Sequence, residues 1–301
     1  MLSICIPIFN SDASALVSEL LNQMDESNEE VELIVIDDSS DSYHWNSAHI
    51  NHPRFTHISL STNIGRSRIR NYFLTVAKFP YLLYIDGDST VCDKNFLRMY
   101  LDKLKVSNVE VMCGASIYQK ERPSSDYYLR WKYSKLRESH SATYRLSNQV
   151  GFKTNNFLIK RSVLEKIPFE EKLIGYGHED TLFGFQLAKF KVNVEHIENP
   201  VLNKTLDSNK AFLIKTVNAV KNLTQILEFV DNDQQFITQN RLIKTYFSLK
   251  EKRLLKTVHA ILWVINPLNN WLLSRGIFIL PMFDLFKLKQ LIFEMNQLNA
   301  R

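Results

Sequence analysis

The first hundred or so residues set short, nearly unbroken apolar runs against turn-forming or acidic ends. Leu2-Ser-Ile-Cys-Ile-Pro7, Val31-Glu-Leu-Ile-Val-Ile-Asp37, Phe55-Thr-His-Ile-Ser-Leu60 and Tyr81-Leu-Leu-Tyr-Ile85 are four of them. Runs of this length and composition predict strands buried on both faces. Between them apolar residues recur at helical spacing. Leu16, Leu20, Leu21 and Met24 share one face of a helix starting at Asp12, residues 69–77 read as a short helix, and Phe96, Tyr100 and Leu104 align behind Asp93 as a cap. Residues 109–113 add a strand. Strands alternating with helices at this spacing predict an α/β domain with a doubly wound, mostly parallel nucleotide-binding sheet.

From residue 118 to 148 the pattern loosens into a polar, aromatic-rich stretch holding Tyr127, Tyr128, Trp131 and Tyr133, a flap or a helical insertion. Regularity returns at Asn155-Asn156-Phe-Leu-Ile-Lys-Arg161 and a short helix over 163–166. Gly175-Tyr176-Gly177-His178-Glu179-Asp180 then opens a helix with Leu182, Phe183 and Leu187 on its apolar face. Beyond Asn203 the chain turns helical. Residues 212–229 and 241–265 predict long helices, broken afterwards by Pro267, Gly276 and Pro281. Residues 258–286 are strongly apolar, but Asn266, Asn269, Asn270, Arg275 and Asp284 interrupt them. No clean span of about 20 apolar residues is expected there. The division expected is residues 1–205 as the α/β domain, split near residue 115, and residues 206–301 as a helical C-terminal appendage.

At 301 residues and 45% hydrophobic content the chain supports a substantial core. Cys5, Cys92 and Cys113 show no paired spacing, which predicts a reducing compartment without a disulfide framework. The chain starts directly on a strand, leaving no room for a signal peptide, so a cytoplasmic protein is expected. The net charge of +5 is uneven: from Lys204 onward 14 Lys and Arg face 7 Asp and Glu, and before it 23 face 25. A basic tail suits nucleic acid, an acidic partner or an anionic membrane surface. No nucleic-acid motif accompanies it, so a nucleic-acid partner is not expected. Trp263, Trp271, Phe278 and Phe283 form either the core of the appendage or an interfacial belt, and the latter would place it at the inner face of the cytoplasmic membrane.

The chemistry gathers at Asp86-Gly87-Asp88, where an apolar strand ends in two carboxylates. In open parallel sheets ligands bind beyond the carboxyl ends of strands. Two carboxylates so placed suit a divalent cation and a polyphosphate. The plain alternative is a loop that carries two aspartates. Glu179 and Asp180 also have a structural explanation, since carboxylates at a helix N-terminus are favoured by the macrodipole. Arg66, Arg68 and Arg70 also fit a solvated charged face, and for Arg66 that is the readier reading. His196 on an apolar strand reads as a satisfied core residue before a metal ligand.

Five clusters in this order resemble family-2 glycosyltransferases with a GT-A fold, over residues 2–205. Ile-Cys-Ile-Pro7-Ile-Phe9-Asn10 is similar to the family's first strand and turn, and Asp37-Asp38-Ser-Ser to its nucleotide motif. Asn63-Ile-Gly65-Arg-Ser-Arg-Ile-Arg70-Asn71 resembles its N-x-G-x-x-x-A-R-N segment with Ile69 for alanine. Asp86-Gly87-Asp88 matches its D-x-D motif, and Tyr176-Gly177-His178-Glu179-Asp180 its W-G-x-E-D motif with Tyr for Trp. The resemblance implies a nucleoside-diphosphate sugar donor, a UDP-sugar in such systems, held by Pro7, Phe9, Asn10, Asp37, Asp38, Asn63, Gly65, Arg70, Asp86 and Gly87. It implies Mn²⁺ or Mg²⁺ on Asp86 and Asp88, with Asn203 where bacterial relatives carry a histidine. It also implies a saccharide or lipid-linked acceptor met by Asn155, Asn156, Tyr176, Gly177 and His178. Asp180, with Glu179 as alternate, would be the base of an inverting transfer serving cell-surface polysaccharide synthesis. Two rivals are weighed: a haloacid-dehalogenase-like phosphatase with Asp86 as nucleophile, and a non-catalytic nucleotide-sugar-binding protein. The first needs its acidic pair downstream, whereas Asp37 and Asp38 lie upstream.

Overall fold

The computed structural model describes residues 1–41, 45–148, 151–173, 175–277 and 280–299. Phe278, one of the aromatic residues weighed above, lies outside the described residues. The strands are β1 (Leu2–Ile8), β2 (Val31–Asp37), β3 (Phe55–Ser59), β4 (Tyr81–Ile85), β5 (Ser89–Val91), β6 (Val111–Cys113), β7 (Ser116–Tyr118), β8 (Asn156–Lys160), β9 (Val194–His196) and β10 (Val201–Asn203). The helices of the same region are α1 (Ser14–Asp25), α2 (Arg66–Val76), α3 (Phe96–Val106), α4 (Tyr128–Arg137), α5 (Ala142–Ser147), α6 (Arg161–Lys166) and α7 (Glu179–Lys189). The C-terminal helices are α8 (Asn209–Phe229), α9 (Gln234–Gln239), α10 (Arg241–Glu251), α11 (Leu255–Ser274) and α12 (Leu280–Asn299).

The chain forms two compact units. The first comprises residues 1–119, 137–172 and 179–205 and is built on a seven-stranded sheet of order β3-β2-β1-β4-β8-β6-β9, in which β8 runs against the others. Every residue of β2 is buried, as expected for a strand covered on both faces. Period-two alternation sends Ile4, Ile6, Leu33, Val35, Leu83 and Ile85 into one apolar layer under α1 and α3. Cys5, Ile34, Ile36, Leu82 and Tyr84 enter the opposite layer with residues of α2, α6 and α7. The parallel register pairs Ile8 with Asp37 and Asp37 with Ser59, so the strands present their carboxyl ends together. This is the mixed α/β architecture of the GT-A fold.

A three-stranded sheet, β5-β10-β7, stands beside it. Three residues per strand give too short a run for hydrophobic alternation to register, and periodicity predicted neither β5 nor β7. Its consequence is local: β10 pairs antiparallel with β5 so that Asn203 lies opposite Ser89, one residue beyond Asp88.

The second unit comprises residues 120–136, 173–178 and 206–301. Leu129, Phe212, Leu273, Phe283 and Phe286 form one core, joined by Tyr133, and Val220, Tyr246, Leu262, Leu288 and Leu291 another. Tyr133 packs against Phe212 and Phe283, which makes it a core residue of this unit. The expected helix over 241–265 is two helices, because Arg253 turns to φ +57° between α10 and α11. Pro267 does not end a helix either. It lies within α11, where buried Leu262 and Leu273 hold the helix on both sides of the lost hydrogen bond. Pro281 falls in the first turn of α12, where a missing N–H costs little. No helix among the described residues is long and apolar enough to cross a membrane.

Candidate active site

At the end of β1 the chain turns through exposed Phe9 and through Asn10, which adopts φ +50°. The Asn10 N–H donates to Ser40 Oγ (2.7 Å) and its Oδ1 accepts from the Asp41 N–H (3.1 Å), tying this turn to the one after β2. Buried Asp37 accepts from the Ser40 N–H at 2.8 Å. Asp38 acts as an anchor. Its Oδ1 accepts from the Ile64 N–H (2.7 Å) and its Oδ2 from the Gly65 N–H (3.0 Å), while Asn63 Nδ2 donates to its carbonyl (3.1 Å). Gly65 opens α2 at φ +86°, a conformation that favours glycine. Each carboxylate oxygen of Asp38 retains a second lone pair, so the anchor can still accept from a base ring.

One strand over, Asp86 Oδ1 accepts from Arg70 Nη2 at 2.9 Å. Arg70 is only 2% exposed, although its burial leaves Nε without a partner. A buried guanidinium is tolerated where carboxylates surround it, and here the second is Glu179, 3.9 Å away. The Asp86 N–H donates to the Asn155 carbonyl and the Ser89 N–H to the Asp86 carbonyl, which fixes the tight turn around Gly87. A Cβ on Gly87 would overlap Ile8 Cγ2 and lie 3.1 Å from the Pro7 carbonyl oxygen. Glycine is therefore what lets the turn that carries Asp86 and Asp88 approach the end of β1.

The donors around this turn suit a hard divalent cation. Asp86 has its Oδ1 committed to Arg70, Asp88 follows Gly87, and the β5–β10 pairing brings Asn203 alongside. The neighbouring Ser89 Oγ is buried without a partner. Among the described residues no three His, Cys, Asp or Glu side chains cluster as a metal set. Two carboxylates and an amide oxygen leave about half of an octahedral ion's positions to water and phosphate, and Mg²⁺ usually keeps such ligands. Asn203 Oδ1 also accepts from the Thr205 N–H at 3.2 Å, which orients the amide.

The acidic pair of α7 occupies the first turn of that helix. Glu179 is buried and accepts from Arg66 Nη1 at 3.2 Å, while Asp180 Oδ2 meets Lys153 Nζ at 2.7 Å. Arg66 thus departs from the solvated-face expectation. Its guanidinium reaches across to α7 even though half of the side chain is exposed. Arg68 keeps that description, pairing at the surface with Glu171.

Residues 3–168 match the sequence profile of glycosyl transferase family 2. The chain belongs to this family. It is 23% identical over 284 residues to a cholesterol galactosyltransferase of Borreliella burgdorferi, covering 88% of this chain and 77% of the relative. Its fold is similar to that of the mannosyltransferase PcManGT from Pyrobaculum calidifontis in complex with GDP-Man and Mn²⁺, with a TM-score of 0.59 and 15% identity over 99% of this chain and 86% of the other. Residues 1–349 of S. aureus TarS in complex with UDP-GlcNAc align with a TM-score of 0.50 and 15% identity, over 98% of this chain and 91% of that one. The phosphatase alternative is set aside by this membership.

The family-2 domain does not bring every expected residue to the strand ends. Asn156 is 1% exposed, and its amide is consumed by the core: Oδ1 accepts from Tyr100 Oη, and Nδ2 donates to the Ala115 and Asn199 carbonyls. It cannot greet an acceptor. Asn155 contributes its carbonyl to the Asp86 turn, and its buried Oδ1 has no partner. Tyr176, Gly177 and His178 belong to the second unit, where Asn222 Nδ2 donates to the Gly177 carbonyl and Lys215 Nζ sits 5.1 Å from the Tyr176 ring centroid. Gly177 adopts φ +97° with a Cβ position 2.7 Å from that of Ala219, so no larger residue fits.

His196 Nδ1 accepts from buried Arg145, which also donates to the Cys113 and Ile197 carbonyls. Burial and the Arg145 charge push the imidazole down to about 4, and it serves the core as expected. Sequence reasoning missed Lys153 and Arg145. Neither carries a local signal, because a lone cation before a strand or on a short helix reads as surface until its tertiary partner is placed.

Proposed function

We propose that this family-2 enzyme is an inverting, metal-dependent glycosyltransferase that moves a hexose from a nucleoside-diphosphate sugar, a UDP-sugar, to a lipid or lipid-linked saccharide acceptor. One observation carries the reading: Arg70, buried, joins Asp86 after β4 to Glu179 of α7, so the proposed donor-phosphate and base ends form one charged network. The similarity to a cholesterol galactosyltransferase over most of the chain supports the acceptor class.

The nucleotide would lie over the ends of β1 and β2, with Phe9 exposed for contact with the base and Asp37 and Asp38 available as acceptors for its N–H. A divalent cation on Asp86, Asp88 and Asn203 would neutralise the charge that grows on the diphosphate leaving group. Asp180 takes the proton of the acceptor hydroxyl as its oxygen attacks the anomeric carbon from the face opposite the departing diphosphate. A single displacement of this kind inverts the anomeric centre and needs no covalent enzyme intermediate. Lys153 holds the Asp180 carboxylate in place between turnovers.

The test pairs donor binding with transfer. UDP-sugars should raise the melting temperature more with Mn²⁺ than without it, because a ligand that binds only the native state stabilises by mass action. Asp88→Ala should lose the Mn²⁺-dependent part of that shift, and Asp180→Asn should keep it while losing transfer to lipid acceptors. Equal donor affinity in wild type and Asp88→Ala would contradict the metal assignment. Donor binding with full transfer in Asp180→Asn would remove the base, and donor binding without any transfer or hydrolysis by wild type would favour the non-catalytic reading.

A further inference from the structure

Helix α11 is apolar on its outer face as well as on its packed one. At 3.6 residues per turn Ile261, Val264, Leu268 and Trp271 fall on one face, with Trp263 and Ile265 flanking it, and all six are exposed, Val264 to 70% and Trp263 to 71%. The opposite, packed face buries Leu262 and Leu273 together with Asn269, which donates from Nδ2 to the Met282 carbonyl. A helix facing water on its outer side normally carries polar residues there. The apolar arc runs along a 20-residue helix, so the exposed residues form a continuous stripe and not the scattered singles of an ordinary surface.

The charge around this stripe is mostly positive. From residue 250 to 277 the sequence holds Lys250, Lys252, Arg253, Lys256 and Arg275 against the single acid Glu251, and α11 itself contains no Asp or Glu. Cations stand at both ends of the stripe, and the Arg275 guanidinium lies 4.2 Å from the Trp271 ring centroid. A stripe that combines exposed tryptophans, aliphatic side chains and flanking cations meets the two demands of an anionic bilayer surface, apolar burial at the acyl boundary and charge neutralisation at the headgroups. A protein partner would more commonly bring its own acids to a polar rim, and a second copy would set these five cations against each other.

We propose that the outer face of α11 is a membrane-docking surface that seats the helix in the plane of an anionic bilayer, with Ile261, Val264, Leu268 and Trp271 entering the interface. The helix lies on the bilayer and does not cross it, in keeping with the absence of a spanning helix among the described residues. This inference is independent of the sugar and acceptor assigned above.

The test is partitioning of the full chain onto vesicles of phosphatidylcholine and phosphatidylglycerol in roughly equal parts, against vesicles of phosphatidylcholine alone. Binding should favour the anionic vesicles, weaken as salt is raised, and fall roughly a hundredfold when Lys252, Arg253 and Lys256 are changed to Gln, at about fivefold per cation near the surface. Val264→Glu with Leu268→Glu should abolish it. Both positions are exposed, and an unchanged melting temperature in this variant shows that the fold persists. Quenching of tryptophan fluorescence by brominated lipid reads the same contact in the unmodified protein. The proposal is overturned by equal partitioning of wild type and the Glu variant, by no quenching and no partitioning onto either vesicle, or by a dimer in solution that the Glu variant dissolves.

Discussion

Replacing Arg70 by Met removes the one cation that Asp86 and Glu179 share and keeps most of the side-chain volume. Arg70 stands 2.9 Å from Asp86 and 3.9 Å from Glu179, with 2% of its side chain exposed. At an effective dielectric of about 20 the shorter contact corresponds to a gross attraction of roughly 6 kcal/mol, most of which the cost of desolvating the charges cancels. Removing one partner of such a pair costs about 3–5 kcal/mol, because a charge is left behind in the interior. The structure places this case at the low end. Asp86 is 26% exposed and can recruit water, and Glu179 keeps Arg66. A loss of about 3 kcal/mol follows, or a melting temperature lower by roughly 6–10 °C. The decisive assay is a double-mutant cycle by thermal and urea unfolding. Adding Glu179→Gln to Arg70→Met neutralises the less hydrated of the stranded carboxylates and should recover part of the loss. If the two single losses simply add, Arg70 and Glu179 do not share a network and the reasoning fails.

Two further outcomes are expected. Gly87→Ala should destabilise by about 1–3 kcal/mol through overlap with Ile8 and the Pro7 carbonyl, and should weaken Mn²⁺-dependent donor binding by moving the Asp86–Asp88 turn; a variant with wild-type melting and wild-type donor shift would dismiss the close approach. His196 has an ordinary value of 6.5 lowered to about 4 in the folded protein, chiefly by burial, so the unfolded chain binds the proton more readily. Stability from this group is present above pH 6.5 and is lost as the pH falls toward 4. His196→Gln should flatten a melting-temperature profile across that window, leaving a shallower slope of the same sign from His57, which burial also lowers.

The legible parts of this fold are those in which local pattern and burial say the same thing. β1 and β2 are covered on both faces, so they read as unbroken apolar runs, and their ends at Ile8 and Asp37 lie side by side at one edge of the sheet. The short strands β5, β7 and β10 gain their structure from one another across large sequence separations, which no window of the sequence contains. Pro267 shows the same limit from the other side: its intrinsic preference is to end a helix, and packing of Leu262 and Leu273 overrides it. Asn156 was legible as a polar residue at a strand entrance, but a satisfied core amide and a ligand-facing one look alike in one dimension. Tyr100, Ala115 and Asn199 distinguish them only after folding.

If the proposed function holds, the charges that folding assembles call for a cation to enter with a donor that carries two phosphates. Asp37, Asp38, Asp86, Asp88, Glu179 and Asp180 bring six formal negative charges to the strand ends and adjacent loops, and Arg66, Arg70 and Lys153 return three. The N-termini of α2 and α7 offset about half a charge each. The balance stays near −2 before a nucleoside diphosphate adds further negative charge. Arg70 cannot supply the missing neutralisation, because it is buried and already divided between Asp86 and Glu179. On the proposed function a divalent cation admitted with the donor would supply it, held by Asp86 and Asp88 on either side of Gly87.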